Sequence, residues 1–340
     1  MIITNGDKDP MDNRHPLRRR ALLAALAAGC LAGLPALAQD SYPNKAIRIV
    51  AAGAPGGGMD LLARVIADRM QQALKQPVII DNKPGGNGMV AANSVVNAPA
   101  DGYTLLMTAA SFTVIAQAMP KKPPLDITRD LVAVSQIGAG GVFLVVAPDF
   151  PARDMKELVS LVKAQPDKHS YASFGIGSSG HLVMAALGNQ TGMKINHVPY
   201  KGMQQIIGDV ISGVVKIAFV DVSSSLPMIK AGKIRPLAVS GSARMPATPD
   251  VPTMTEQGFR FDTDGWFAMF APRGTPPAVT NVLNREIAAA LAAPELQTRL
   301  LQLNLANPPR KTPEQFAQTV RDDLKVWTKI AQDNHIRPED

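Results

Sequence analysis

The chain is poor in thiols. Its 340 residues contain one cysteine, Cys30, which excludes an internal disulfide framework and any cysteine-based metal site. The five histidines show no metal-ligand spacing, so no metal and no cofactor are expected. No basic run or aromatic-interleaved patch follows residue 38, which argues against nucleic acid as a partner. Nothing after Gln39 reaches the length of apolar chain that crosses a bilayer as a helix. There is no internal repeat and no low-complexity tract. The glycine-rich loops lack a following Lys-Ser/Thr, so none is a P-loop. Neither Ser178 nor Ser179 has glycine two residues away on both sides, so no G-x-S-x-G nucleophile elbow is present.

What is present begins with an export leader. Arg18, Arg19 and Arg20 precede an apolar run from Ala21 to Leu34, and Ala36-Leu37-Ala38 is an A-x-A cleavage signature. Residues 1–38 read as a signal peptide, cleaved after Ala38, and the mature chain as periplasmic. Met11 is an alternative start. The arginines loosely resemble a twin-arginine signal, and Ala27-Ala28-Gly29-Cys30 is a poor lipobox; general export with cleavage at Ala38 is the simpler reading. Cleavage removes Cys30. The leader holds five of the 35 Lys+Arg and three of the 28 Asp+Glu, leaving 30 against 25. An excess that small steers small anions weakly.

The most informative stretch is residues 46–60, Ala-Ile-Arg-Ile-Val-Ala-Ala-Gly-Ala-Pro-Gly-Gly-Gly-Met-Asp. An apolar strand runs into a loop with Pro55, Gly56, Gly57 and Gly58. A helix follows with Leu62, Val65, Ile66, Met70 and Ala73 on one face. Glycines let backbone N–H groups approach a ligand, and a helix N-terminus adds unpaired N–H donors and a partial positive charge. The combination reads as an anion site suited to carboxylate as well as phosphate. An ordinary tight strand–helix turn would read the same way.

Strand and helix patterns alternate throughout, which predicts an α/β protein. Strands are expected at Ala46–Ala52, Val78–Asp81, Tyr103–Thr108, Val142–Ala147, Tyr171–Phe174, Asn196–Val198, Lys216–Val220, Pro236–Ser240 and Trp266–Ala271. Asp154 with Glu157, and Thr312-Pro313-Glu314-Gln315, are helix-capping signatures, and Gly232 is a helix stop. The length favours two lobes. A proline- and charge-rich stretch between Pro120 and Leu131 and a break at Phe259–Gly265 give residues 39–140 with 263–340 as lobe 1, and 141–262 as lobe 2.

Gly175-Ile-Gly177-Ser-Ser-Gly180 is formally G-x-G-x-x-G. It does not follow the first strand of its lobe, and no acidic residue closes the next strand, so a dinucleotide site is not expected. A second anion loop is the alternative, with hydroxyls from Ser178 and Ser179. His181, in the first helical turn, is expected to be neutral, either capping or touching a ligand. Asp221 closes a strand ahead of Ser223, Ser224 and Ser225. Asn87, Gly88, Thr108 and Ser111 lie where strands give way to loops. Ligands in open α/β sheets bind at such carboxyl ends.

The ordered set of these pieces resembles the Bug-type receptors of tripartite tricarboxylate transporters. It comprises Tyr42-Pro43-Asn44-Lys45-Ala46-Ile47-Arg48, Ala54-Pro55-Gly56-Gly57-Gly58-Met59-Asp60, Asp81-Asn82-Lys83-Pro84-Gly85-Gly86-Asn87-Gly88 and Pro99-Ala100-Asp101-Gly102-Tyr103-Thr104-Leu105. It continues through Gly177-Ser178-Ser179-Gly180-His181, His197-Val198-Pro199-Tyr200-Lys201-Gly202 and Lys230-Ala231-Gly232-Lys233-Ile234-Arg235-Pro236. The resemblance implies a type II periplasmic-binding-protein fold, two lobes each with a mainly parallel sheet flanked by helices. It implies a monomer that closes on a small carboxylate and delivers it to a membrane permease. Carried over residue by residue, it implies ligand contacts at Pro55, Gly56, Gly57, Gly58 and Asp60, at Asn87 and Gly88, at Thr108, Ala109 and Ser111, at Ser178, Ser179 and His181, and at Asp221. Two departures stand out. The family often has Asp-Asn where this chain has Asp221-Val222, and Thr-Asn-Gly where it has Thr108-Ala109-Ala110. Both remove polar groups, which weighs against a highly polar ligand such as citrate. An exported hydrolase, and a carboxylate sensor without a transport role, are the alternative functions.

Overall fold

The computed structural model describes residues 1–2, 42–119, 125–166, 168–261 and 263–337. The leader, Cys30 and the cleavage site expected after Ala38 lie outside the described residues. Lys45–Asp340 forms one compact unit. It is built on two five-stranded sheets.

The first sheet contains β1 (Ile47–Ala51), β2 (Val78–Asn82), β3 (Thr104–Ala109), β4 (Leu131–Gly140) and β10 (Gly265–Pro272), in the order β2-β1-β3-β10-β4. β1 pairs in parallel with β2 and β3, and β10 is antiparallel to both β3 and β4. Four of its five strands therefore run one way. The second sheet holds β5 (Val142–Val146), β6 (Ser170–Ser173), β7 (Asn196–Pro199), β8 (Ile217–Asp221) and β9 (Arg235–Val239), in the order β7-β6-β8-β5-β9. Here β5 is the antiparallel strand, between β8 and β9, and the others agree in direction. The two sheets thus share one topology, and the reversed strand in each is the one the chain enters on crossing over. All six residues of β3 and all five of β5 are buried, as strands covered on both faces should be.

The helices follow local rules. α1 (Gly58–Leu74) buries Met59, Leu62, Ala63, Ile66, Ala67 and Met70. Ala73, expected on that face, is exposed, and Val65 is half-buried. Next come α2 (Met89–Val96), α3 (Val114–Gln117), α4 (Ile127–Asp130) and α5 (Met155–Ala164). The Asp154 side chain caps α5 by accepting from the Glu157 N–H. α6 (Ser179–Thr191) and α7 (Met203–Ser212) follow, then α8 (Leu226–Lys230), stopped by Gly232 at φ 65°. After β10 come α9 (Pro277–Leu291), α10 (Pro294–Gln302) and α11 (Pro313–Asp333). α11 opens with the expected reciprocal capping box between Thr312 and Gln315 and buries Phe316, Val320, Trp327 and Ala331.

β4 is a strand the sequence pattern did not predict. Its residues, Leu-Val-Ala-Val-Ser-Gln-Ile-Gly-Ala-Gly, end in small side chains that read as a loop. The reason is close packing. A Cβ on Gly138 would lie 3.4 Å from both Leu300 and Leu305, and one on Gly140 would lie 3.0 Å from Leu305. The chain accordingly leaves the first sheet at Gly141, about ten residues beyond the proline-rich stretch. It returns between Ser240 and Gly265. The two crossings touch: the Val142 N–H donates to Ser240 Oγ at 2.9 Å, and the Ser240 N–H to the Val142 carbonyl at 3.0 Å.

Candidate functional site

A cavity of about 510 Å³ opens between the carboxyl ends of the two sheets. Gly58, Met59, Ala109, Ala110, Ser111 and Ile115 line it from the first sheet's side. Phe174, Ser179, Asp221, Val222, Ser223 and Ser224 line it from the second, and Gly140, Gly141, Ser240 and Gly265 lie at the crossings. A third wall comes from Leu303, Leu305, Trp266 and Trp327.

The glycine loop after β1 is organised by Asp60. This buried carboxylate accepts from the Gly56 N–H at 2.8 Å and from Arg64 Nε at 3.0 Å. Burial pushes its pKa up, but the bonds from Arg64, Gly56 and Asn82 outweigh that and hold it below the ordinary carboxylate value. The Gly57 N–H donates to the Ala54 carbonyl at 3.2 Å. Both N–H groups are therefore engaged inside the loop. The donors left without an acceptor among the described residues are those of the first helical turn, at Gly58, Met59 and Asp60, of which Gly58 and Met59 line the cavity. Pro55, Gly56 and Gly57 do not line it, and Asp60 lies beneath as the brace.

The second loop behaves similarly. Ser178 is the N-cap of α6, accepting from the His181 N–H at 3.3 Å, and its hydroxyl donates to Ser173 Oγ at 3.2 Å. Ser179 faces the cavity. Gly180 is required by close packing, since a Cβ there would lie 2.6 Å from the Cβ of Phe219 on β8. His181 turns away from the cleft. Its Nδ1 accepts from the Gly177 N–H at 3.1 Å, which assigns the ring proton to Nε2 in the neutral form. Burial lowers its pKa, as a neutral histidine requires. Its ring stacks on His197 with centroids 4.0 Å apart. Both histidines line a separate cavity of about 480 Å³ beside Tyr171, Met184 and Asn334.

His197, without an evident partner in the sequence, lies 2.6 Å from Ser173 Oγ by its Nε2. A serine–histidine pair at that distance has the form of an activated nucleophile. Ser173 is fully buried under the glycine loop, however, and lines neither cavity. The pair fixes the loop rather than facing a substrate.

Of the remaining expected positions, Ala109, Ser111 and Asp221 line the cavity, while Thr108 is buried within β3. Gly88, at φ 83°, lies against Phe112, where a Cβ would come within 2.7 Å of that side chain, and it is not in the cavity wall. Asp221 Oδ1 accepts from the N–H groups of Ser223 and Ser224 at 2.9 and 2.8 Å, and Ser224 Oγ donates to Oδ2. Among the described residues no group of three or more His, Cys, Asp or Glu is placed to hold a metal, and no helix is long and apolar enough to cross a membrane.

The sequence pattern of residues 62–336 matches the model of the tripartite tricarboxylate transporter family receptors. The chain belongs to that family. As a member of this receptor family it is 32% identical over 305 residues to protein BugT of Bordetella pertussis, covering 89% of this chain and 93% of that protein. Two solved structures are similar over most of this chain. MatC from Rhodopseudomonas palustris, with bound malate, is 29% identical with a TM-score of 0.70, covering 85% of this chain and 99% of that one. A second R. palustris protein, solved with adipate, is 31% identical with a TM-score of 0.73, covering 88% and 100%. The two-lobed α/β fold expected from the sequence is that of these receptors.

Several wall residues of this receptor had no signal in the sequence. Trp327 reads as the buried stripe of α11, which it also is. Leu303 and Leu305 flank Asn304, a buried residue at φ 51°. Asn304 accepts from the Ala247 N–H at 2.9 Å and donates to the Val222 carbonyl at 3.3 Å. Nothing local announces that this turn reaches across to the other sheet.

The two serines make separable predictions. Ser178→Ala should lower stability by about 1 kcal/mol through loss of a helix cap. Ser179→Ala should leave the melting temperature near wild type and weaken ligand binding by about three- to ten-fold, the worth of one hydroxyl contact. Thermal unfolding and calorimetric titration of both variants would show it; an exchange of the two effects would remove Ser179 from the site.

Proposed function

We propose that this protein is a periplasmic receptor that captures a small carboxylate and delivers it to a tripartite tricarboxylate-type membrane permease. The observation that carries the reading is the meeting of two helix N-termini at one cavity. α1 brings the free N–H groups of Gly58 and Met59, and α6 brings Ser179. Unpaired N–H donors and the positive ends of two helices favour an anion. The malate and adipate carried by related receptors are anions of this kind. On this reading residues 39–140 with 263–340 form one lobe and 141–262 the other, and a monomer closes between them. A ligand touching both sides favours the closed form, because it makes all its contacts only there. Export by cleavage after Ala38 completes the proposal, and a mature N-terminus at Gln39 by mass spectrometry supports it.

The site is tested at Gly58. A β-branched side chain on Gly58 would stand in the cavity mouth, next to Leu303 at 3.4 Å from the Cβ position. Gly58→Val should weaken carboxylate binding about ten-fold or more, the equivalent of losing one charge-assisted hydrogen bond. Gly57→Val, where the N–H is engaged with Ala54, should cost less. Titration of a carboxylate identified by thermal-shift screening measures both. Equal affinities for wild type and Gly58→Val would sink the assignment.

A further inference from the structure

The cavity walls say more than that the ligand is an anion. Beyond the N–H donors of Gly58 and Met59 and the hydroxyls of Ser111, Ser179 and Thr263, the wall is mainly apolar, with Ile115, Phe174, Val222, Leu303, Leu305 and the ring of Trp327, whose Nε1 has no partner among the described residues. The hydroxyls of Ser223, Ser224 and Ser240, which also line it, are bonded within the protein. Among the described lining residues the charged side chain is Asp221, an acid. Its carboxylate is held in place by the Ser223 and Ser224 N–H groups, so it presents fixed negative character to the cavity.

We infer that the ligand is a monocarboxylate with an apolar body, branched or aromatic, rather than a di- or tricarboxylate. The inference rests on the receptor reading above and names the ligand class of that same site. One carboxylate is satisfied by the helix N-termini. A second, on a body long enough to leave that end, would meet a largely apolar wall that, among the described lining residues, carries no cationic side chain and includes the Asp221 carboxylate. Transferring an ionised carboxylate against apolar surface without a partner is strongly unfavourable, and a like charge nearby adds to the cost. An apolar body gains instead from every wall it covers. The volume of about 510 Å³ lies in the range of cavities that enclose ligands larger than a four-carbon acid.

The test is a titration series on the purified mature protein. Phenylacetate, benzoate and isovalerate are compared with malate, adipate and citrate by calorimetry. At least one apolar monocarboxylate should bind about ten-fold or more tightly than any of the three polyacids, a difference of about 1.4 kcal/mol. Tighter binding of malate, adipate or citrate would overturn the inference and leave the receptor reading standing. Binding of none of the six would overturn both. Asp221→Asn keeps an Oδ1 for the two backbone bonds and removes the charge. It should shift the affinity ratio about ten-fold toward adipate; an unmoved ratio would remove Asp221 from the selectivity. Cocrystals or scattering-monitored compaction with the best monocarboxylate provide a readout that does not depend on the variant folding.

Discussion

Gly141→Ala is expected to destabilise the protein by about 3 kcal/mol or more, beyond the usual cost of a small overpacking substitution. No unusual backbone conformation is involved; the constraint is space. A Cβ on Gly141 would lie 1.7 Å from the Ser240 carbonyl oxygen. Ser240 is buried and bonded to Val142 through both its N–H and its hydroxyl. The carbonyl cannot retreat without parting the two crossings. The neighbouring glycines are confined too, though less so: a Cβ on Gly265 would lie 2.8 Å from the Gly140 carbonyl, and one on Gly241 2.6 Å from an Asp264 oxygen. The melting temperature should fall by roughly 6–12 °C. Gly208→Ala is the contrast. That glycine is exposed within α7 with nothing near its Cβ position, and the substitution should stabilise by about 0.5–1 kcal/mol through helix propensity. A Gly141→Ala protein melting like wild type would mean that the crossings yield easily.

The second large effect is concealed in the wild type by cancellation. Burial, helped by the adjacent His181, pushes the pKa of His197 down from 6.5 to about 4. Burial pushes Asp323 up from 3.8 to about 6; the bond from Trp266 Nε1 opposes the rise and the nearby Asp264 adds to it. Between pH about 4 and 6.5 the unfolded chain binds a proton at His197 that the native state does not. Stability from this group is complete above 6.5 and is lost as pH falls toward about 4. Asp323 has the opposite sign. Its native carboxyl keeps a proton the unfolded chain has released, so its contribution is complete below 3.8 and is lost as pH rises through about 6. Allowing for partial exposure, each is worth about 2 kcal/mol. Wild-type stability should therefore vary little between these limits on account of this pair. Asp323→Asn should become more stable as pH rises through the window, and His197→Gln less stable. Urea unfolding at a series of pH values would measure the slopes; parallel profiles for the two variants would refute the opposition.

Much of this molecule is legible in its sequence, and the illegible parts share a cause. Strands such as Val142–Val146 declare themselves because they are buried on both faces and so are continuously apolar. β4 did not, because its glycines answer to Leu300 and Leu305, more than 150 residues away in the chain. The glycine loop after β1 is legible as a strand–helix turn of the kind that suits an anion, but which of its N–H groups stay free is not. That depends on Asp60 folding back to take the Gly56 N–H. Of the expected Pro55, Gly56, Gly57, Gly58 and Asp60, the cavity wall includes Gly58, and it adds Met59. His181 was rightly expected to be neutral, yet its ring faces His197 and a different cavity, because its Nδ1 answers to Gly177. The third wall of the cleft, from Leu303, Leu305 and Trp327, is set by tertiary packing and left no local trace.

The strand order of the first sheet also fixes a sequence of events during synthesis. β10 lies between β3 and β4, yet Gly265 follows Gly140 by more than a hundred residues. Until β10 has been made, β4 has no neighbouring strand on either side, and β3 has an open edge. The second sheet, by contrast, is assembled from one continuous stretch, β5 to β9. A growing chain can complete that half while the other remains unfinished. The half carrying the Gly58 turn must wait for the last quarter of the polypeptide, and closing so long a loop is entropically slow. The receptor is therefore obliged to be assembled late, when nearly all of its chain has already been made.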